Sequence, residues 1–255
     1  MGIHLNFENM KGLTHCSIHN CETIEKRVAN KDMKVCPMCI SGVLESKSNF
    51  EKEIVEKLHR SRLNSLHISK YLTNKNLENY EMETLSQEKI IHQAYSFIEH
   101  FLESDSTCNL LLNGPTGSGK THIAIGILKM LNEKLPFSKK LGFISSFQIA
   151  QQVMNNWSQN DCSNKIDIIE EYSNIDVLVI DDFGYEDEGY KSKIINKILF
   201  LRHEYGKSTI ITSNLLSEEC FDLMDDRVKS RFLSNLFCVC ELNFEDYRLK
   251  NLKSI

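Results

Sequence analysis

The sequence predicts an α/β protein built on a parallel sheet, with a small cysteine- and histidine-rich module ahead of it. Three observations carry this expectation. Residues 66–255 alternate apolar runs with amphipathic stretches. The apolar runs are continuous, the mark of strands buried on both faces. One of them, NLLLN at 109–113, runs into a glycine-rich turn and then a helix-forming stretch, HIAIGILKMLNEKL.

The elements follow in order. Residues 1–45 form a Cys/His-rich segment without long-range periodicity. Residues 46–65, SKSNFEKEIVEKLHRSRLNS, read as a charged helix, a helical linker or a packing helix, with Ile54, Val55 and Leu58 on one side. Residues 66–255 make the sheet domain. Its strands are NLLLN (109–113), LGFIS (141–145), VLVI (177–180), STIITSN (208–214) and CVCELN (238–243).

Composition narrows the classes. A chain of 255 residues that is 41% hydrophobic can bury one sizeable core. No run of about 18 apolar residues predicts a membrane span, and MGIHLNFENMKGL lacks the pattern of a secretory signal. A cytoplasmic protein without membrane attachment is expected. Net charge is −5, unevenly spread: residues 1–70 hold 11 Lys/Arg against 8 Asp/Glu, and the remainder holds 19 against 27. That balance neither demands nor excludes nucleic acid. Of nine cysteines, Cys108, Cys162, Cys220, Cys238 and Cys240 are scattered and read as small core residues.

The turn at 114–121, GPTGSGKT, fits G-x-x-x-x-G-K-[ST] in its strand-to-helix setting. Gly114, Pro115, Thr116, Gly117, Ser118 and Gly119 would wrap phosphates with backbone N–H groups at a helix N-terminus. Lys120 would reach the β- and γ-phosphates of ATP, and the Thr121 hydroxyl would bind Mg²⁺. VLVIDDFG at 177–184 delivers Asp181 to the same metal and Asp182 to the attacking water. Asn214, ending STIITSN, is placed to orient that water. DDRVKSRF at 225–232 sets Arg227 and Arg231 four residues apart, on one helix face, where arginines can reach a neighbouring subunit's phosphates. Arg248, in FEDYR, is a candidate γ-phosphate sensor within the same chain.

Cys16-x-x-His19 and Cys36-Pro-Met-Cys39 are two soft-ligand pairs separated by 16 residues. Such pairs suit a closed tetrahedral Zn²⁺ site, and metal can supply the folding energy a small module lacks. Cys21 and His15 are alternative ligands.

Together these pieces resemble the AAA+ ATPases of the DnaC/DnaI/IstB group. The resemblance covers roughly residues 66–255, with a weaker one at the N-terminus. DRVKSRF looks like the arginine-finger box of DnaA-type initiators, which makes Arg227 the finger and Arg231 its support. DYR is similar to the SYR ending of DnaC proteins, with Asp246 where the family has Ser. The cysteine pattern resembles the zinc modules of DnaI-like loaders and favours His19 over Cys21. The resemblance implies an AAA+ P-loop NTPase domain plus an N-terminal zinc-binding domain that grips a DnaB-type replicative helicase. It implies an ATP-bound homo-oligomer with single-stranded DNA in its channel, contacted at Trp157 and Tyr190, and adenine sandwiched by residues of Leu66–Tyr80. The function implied is an ATP-hydrolysing helicase loader. An IstB-like transposition helper and an ATP-binding adaptor that does not turn over are the alternatives.

Overall fold

The computed structural model describes residues 15–16, 21–28, 31–66, 68–104, 106–157, 162–185 and 190–247. By contacts the chain divides into two compact units, Met1–Leu58 and His59–Ile255.

In the first unit β1 (His15–Cys16) pairs antiparallel with β2 (Cys21–Glu22), so that Cys16 and Cys21 stand opposite each other. A second hairpin, β3 (Ile24–Val28) with β4 (Lys31–Val35), follows. Cys36 then leads into α1 (Pro37–Asn64). Proline at the first helical position fits, because its fixed φ suits the helix and its missing N–H is not needed there. The helix expected over 46–65 therefore begins nine residues earlier, inside the cysteine-rich segment. The short-range charge pattern marked only its C-terminal part.

The second unit contains α2 (Leu85–Ser104), β5 (Asn109–Asn113), α3 (Lys120–Lys134), β6 (Leu141–Ser145), α4 (Ser146–Trp157), α5 (Cys162–Ser173) and β7 (Val177–Asp181). It continues through α6 (Tyr190–Glu204), β8 (Ser208–Ser213), α7 (Ser217–Asp222), α8 (Asp226–Ser234) and β9 (Leu236–Glu241). The five strands form one parallel sheet in the order β6-β7-β8-β5-β9. All five strands were foreseen. The largest boundary shift is at β9, which starts two residues before the expected CVCELN run.

Alternate residues of each strand feed two apolar layers, as period-2 geometry requires. Leu110, Leu112, Val177, Val179 and Ile210 pack with Phe97 of α2 and Ile127 of α3. Leu111, Leu178, Ile180 and Ile211 pack with Ile149, Ile195, Ile198 and Phe232 on the other face. Cys108, Cys220 and Cys240 are buried, as expected for core cysteines.

Two arginines tie the edges down. Arg202, fully buried, donates to Thr209 Oγ1 (2.9 Å), to the carbonyls of Tyr172 (2.7 Å) and Ile175 (2.8 Å), and to that of Ser208. Arg62 donates to the carbonyls of Asn132, Leu135 (3.3 Å) and Pro136 (3.0 Å), where α3 ends. A cation there satisfies orphan carbonyls and the helix dipole together. Among the described residues no helix is long and apolar enough to cross a membrane.

Candidate active site

The C-terminal ends of β5, β7 and β8 converge, the edge at which open parallel sheets bind ligands. The glycine turn leaves β5 at Asn113 and enters α3 at Lys120. Gly117 (φ 78) and Gly119 (φ 99) are left-handed, a conformation that glycine adopts without strain. Neither position has room for a side chain. A Cβ on Gly117 would fall 1.8 Å from Asp246 Oδ1, and one on Gly119 would fall 2.6 Å from the Tyr80 ring. No side chain caps α3 at Gly119, so its first-turn amides point into the turn as an anion site.

Lys120 is buried, and its ammonium donates to the carbonyls of Gly114 and Pro115, both at 2.8 Å. The Thr121 hydroxyl donates to Asp181 Oδ1 at 2.9 Å. These two hard oxygens stand about as far apart as neighbouring ligands on a magnesium octahedron of ~2.1 Å bonds. The donor set therefore fits Mg²⁺. Burial pushes the Asp181 carboxyl above the usual carboxylate range, and neighbouring Asp182 adds to this, against the hydrogen bonds from Thr212 and Thr121 and the charge of Lys120. A cation bound there would reverse that shift.

Asp182 is the one described non-glycine residue with positive φ, at 53°. Such backbone costs on the order of 1–3 kcal/mol and persists only where the surroundings over-determine it. They do so here. Asp182 N donates to Thr212 Oγ1 (3.1 Å), while Ser146 Oγ (2.9 Å) and Tyr185 N (3.2 Å) donate to its carbonyl. The result is an exposed Asp182 side chain beside a buried Asp181. Thr212, which the sequence analysis missed, also donates to Asp181 Oδ1 at 2.5 Å. The signal was its position: β7 and β8 pair Ile180 with Ile211, so the next residues along are Asp181 and Thr212.

The cleft at this edge encloses about 410 Å³ and is lined by Lys120, Asp181, Asp182 and Asn214, with Tyr80 and Tyr247 at its sides. Its volume lies in the range of small-molecule sites. The segment Leu66–Tyr80 reaches it through Tyr71 and Leu72. His122 fixes that segment: its Nε2 is 2.8 Å from the Asn76 carbonyl, and its ring meets the Tyr80 ring edge-on.

Arg227 and Arg231 both lie on α8 but differ in what they touch. Arg231 Nε donates to Glu204 Oε1 at 3.1 Å, and its guanidinium sits 4.4 Å above the Phe200 ring. Arg227 is exposed and borders an open groove with Lys193 and Lys197. The expectation of one shared arginine face is thus refined: Arg231 is engaged with α6, and Arg227 is presented outward.

His19 and Arg248 lie outside the described residues. Cys16 is on β1, Cys39 in the first turn of α1, Trp157 ends α4 and Tyr190 begins α6, and their side chains lie outside what is described. Cys36 is buried. Among the described residues no group of three or more His, Cys, Asp or Glu could hold a metal, and the expected zinc quartet falls partly outside those residues.

The profile of the family described as IstB-like ATP binding protein matches residues 41–254. The chain belongs to the IstB-like ATP-binding protein family. The sheet, the glycine turn and the Asp181 strand of this family member form an α/β P-loop NTPase-like domain. Among curated proteins it is similar to the replicative helicase loader DnaC of Escherichia coli K12, 29% identical over 210 residues, which is 82% of this chain and 80% of that one. Among solved structures it resembles the crystal structure of the DnaC helicase loader (TM-score 0.58, 23% identity, 68% of this chain and 99% of that one). It also resembles the crystal structure of DnaI (TM-score 0.57, 16% identity, 70% of this chain and 93% of that one). These two structural likenesses speak to the fold.

Proposed function

We propose that this IstB-like protein is an ATP-hydrolysing helicase loader of DNA replication. The observation that carries the reading is the constellation at one sheet edge: a glycine turn with its lysine, and the Thr121 hydroxyl 2.9 Å from the Asp181 carboxylate. The similarity to the E. coli DnaC loader supports the replication role.

In this reading ATP lies in the 410 Å³ cleft, its phosphates on the amides of residues 114–121. Lys120 exchanges its two carbonyl partners for β- and γ-phosphate oxygens. Thr121 and Asp181 hold Mg²⁺, which neutralises charge on the transferring phosphoryl group. Asp182, held outward by its strained backbone, accepts the proton of the attacking water, and Asn214 orients that water. Arg227, exposed, reaches the γ-phosphate of a neighbouring subunit and stabilises transition-state charge, while Arg231 steadies α8 against α6. Arg248 senses the γ-phosphate within its own chain. ATP binding thereby favours a homo-oligomer.

The N-terminal unit is proposed to bind Zn²⁺ through Cys16, His19, Cys36 and Cys39 and to grip a DnaB-type helicase. Two features support this: Cys36 and Cys39 straddle a strand-to-helix turn, and an antiparallel hairpin carries Cys16. Single-stranded DNA would stack on Trp157 and Tyr190 in the channel of the assembly.

The test is co-purification of the full chain with a DnaB-type helicase, with ATP and zinc present. Helicase captured only by zinc-loaded protein supports the loader. Capture of a transposase instead supports the second reading, an IstB-like transposition helper, whose name the family matched over residues 41–254 carries.

A further inference from the structure

Two chain segments far apart in sequence meet over the glycine turn. From one side, Tyr80 Oη donates to the Ser118 carbonyl at 3.2 Å, and its ring covers Gly119. From the other side, Tyr247 N donates to the Gly117 carbonyl at 3.2 Å. The two segments are then joined to each other, because Tyr247 Oη donates to Glu81 Oε1 at 2.7 Å, a contact between residues 166 apart in sequence. Residues 117–119 therefore sit inside a closed loop of hydrogen bonds.

Glu81 and Tyr247 both line the cleft that also contains Lys120 and Asp181. Both are exposed, with Tyr247 at 36% of its surface, so their bond lies at the mouth of the cleft and not in the core. Glu81 lies in a connecting segment, and Tyr247, itself helical, follows the connecting segment 242–246. Connecting segments of this kind can swing without breaking the sheet, and such swings gate ligand exit in many enzymes. A hydroxyl donating to a carboxylate is one of the stronger neutral-to-charged hydrogen bonds. It can be opened and remade at each binding event.

We propose that Tyr247 and Glu81 form a strap across the mouth of the cleft that retains bound nucleotide. It rests on the nucleotide reading of the cleft and adds positioning residues to it. The strap sets how long nucleotide stays, and it takes no part in the phosphoryl chemistry. Removing it should raise the dissociation rate of bound nucleotide.

Stopped-flow release of a fluorescent N-methylanthraniloyl-ATP from the full chain, with Mg²⁺ and chased by excess ATP, tests this. Tyr247→Phe deletes only the hydroxyl, and release should quicken about tenfold, as loss of one charge-assisted hydrogen bond implies. Glu81→Ala should match it, and the double variant should be no faster than either single one. Glu81→Gln keeps an acceptor oxygen and should fall between Glu81→Ala and the unaltered protein. Unaltered release in Tyr247→Phe, or single effects that multiply in the double variant, overturns the strap while leaving the nucleotide site standing. Absence of any nucleotide signal in the unaltered protein overturns both together.

Discussion

Thr212 Oγ1 donates to Asp181 Oδ1 at 2.5 Å and accepts from the backbone N–H of Asp182 at 3.1 Å. One hydroxyl on β8 thus fixes both aspartates at the end of β7: the first as a buried acceptor, the second through its left-handed backbone. Thr212→Val keeps the shape and removes the hydroxyl. Residues that orient a metal ligand typically matter by about 10–100-fold. We therefore expect ATP turnover to fall by that factor and the Mg²⁺ concentration for half-maximal rate to rise. Thr212→Ser should retain both. Measuring phosphate release against Mg²⁺ concentration decides it, and an unchanged Thr212→Val curve would remove Thr212 from the site.

The two arginines of α8 should separate cleanly. Arg227→Ala should leave thermal stability within about 0.5 kcal/mol, as for an exposed side chain, and lower turnover on the order of 10³-fold, as for an arginine finger. Arg231→Ala should instead cost about 0.5–1 kcal/mol of stability, through the lost Glu204 pair and Phe200 contact. Mixing Arg227→Ala with Lys120→Ala protein should restore part of the activity, because one intact site can form at a mixed interface. No recovery in the mixture would argue against action between subunits.

Acid should weaken the sheet edge at Asp176. Burial alone would raise its carboxyl, but hydrogen bonds from Lys207 Nζ (2.8 Å) and Lys140 N (2.7 Å), with the charges of Lys207 and Lys139, outweigh it and hold the pKa below the ordinary value. The folded state therefore favours the ionised form. Its contribution is present above the unfolded value of about 4 and is lost as pH falls through the folded one. Asp176→Asn should lower the melting temperature at pH 7 and lose less than the unaltered protein between pH 5 and 3. Parallel melting curves over that range would contradict this.

The five strands were legible because each is a continuous apolar run in a doubly covered sheet, a signal that depends on composition and not on register. The glycine turn was legible because few sequences place two left-handed glycines and a lysine between a strand and a helix. What escaped was long-range. Thr212 became part of the site only through the pairing of β7 with β8, and Tyr247 only through a contact with a residue 166 positions away. The start of α1 escaped for a local reason. Its first turns carry cysteines and small residues that read as a loop, and the helix is evident only from its charged C-terminal half.

The most direct measurement is calorimetric titration of the full chain with ATP in the presence of Mg²⁺, beside Lys120→Ala. The account predicts saturable one-to-one binding by the unaltered protein that weakens when Mg²⁺ is chelated and is lost in Lys120→Ala. Equal binding by both proteins, or none by either, would contradict it.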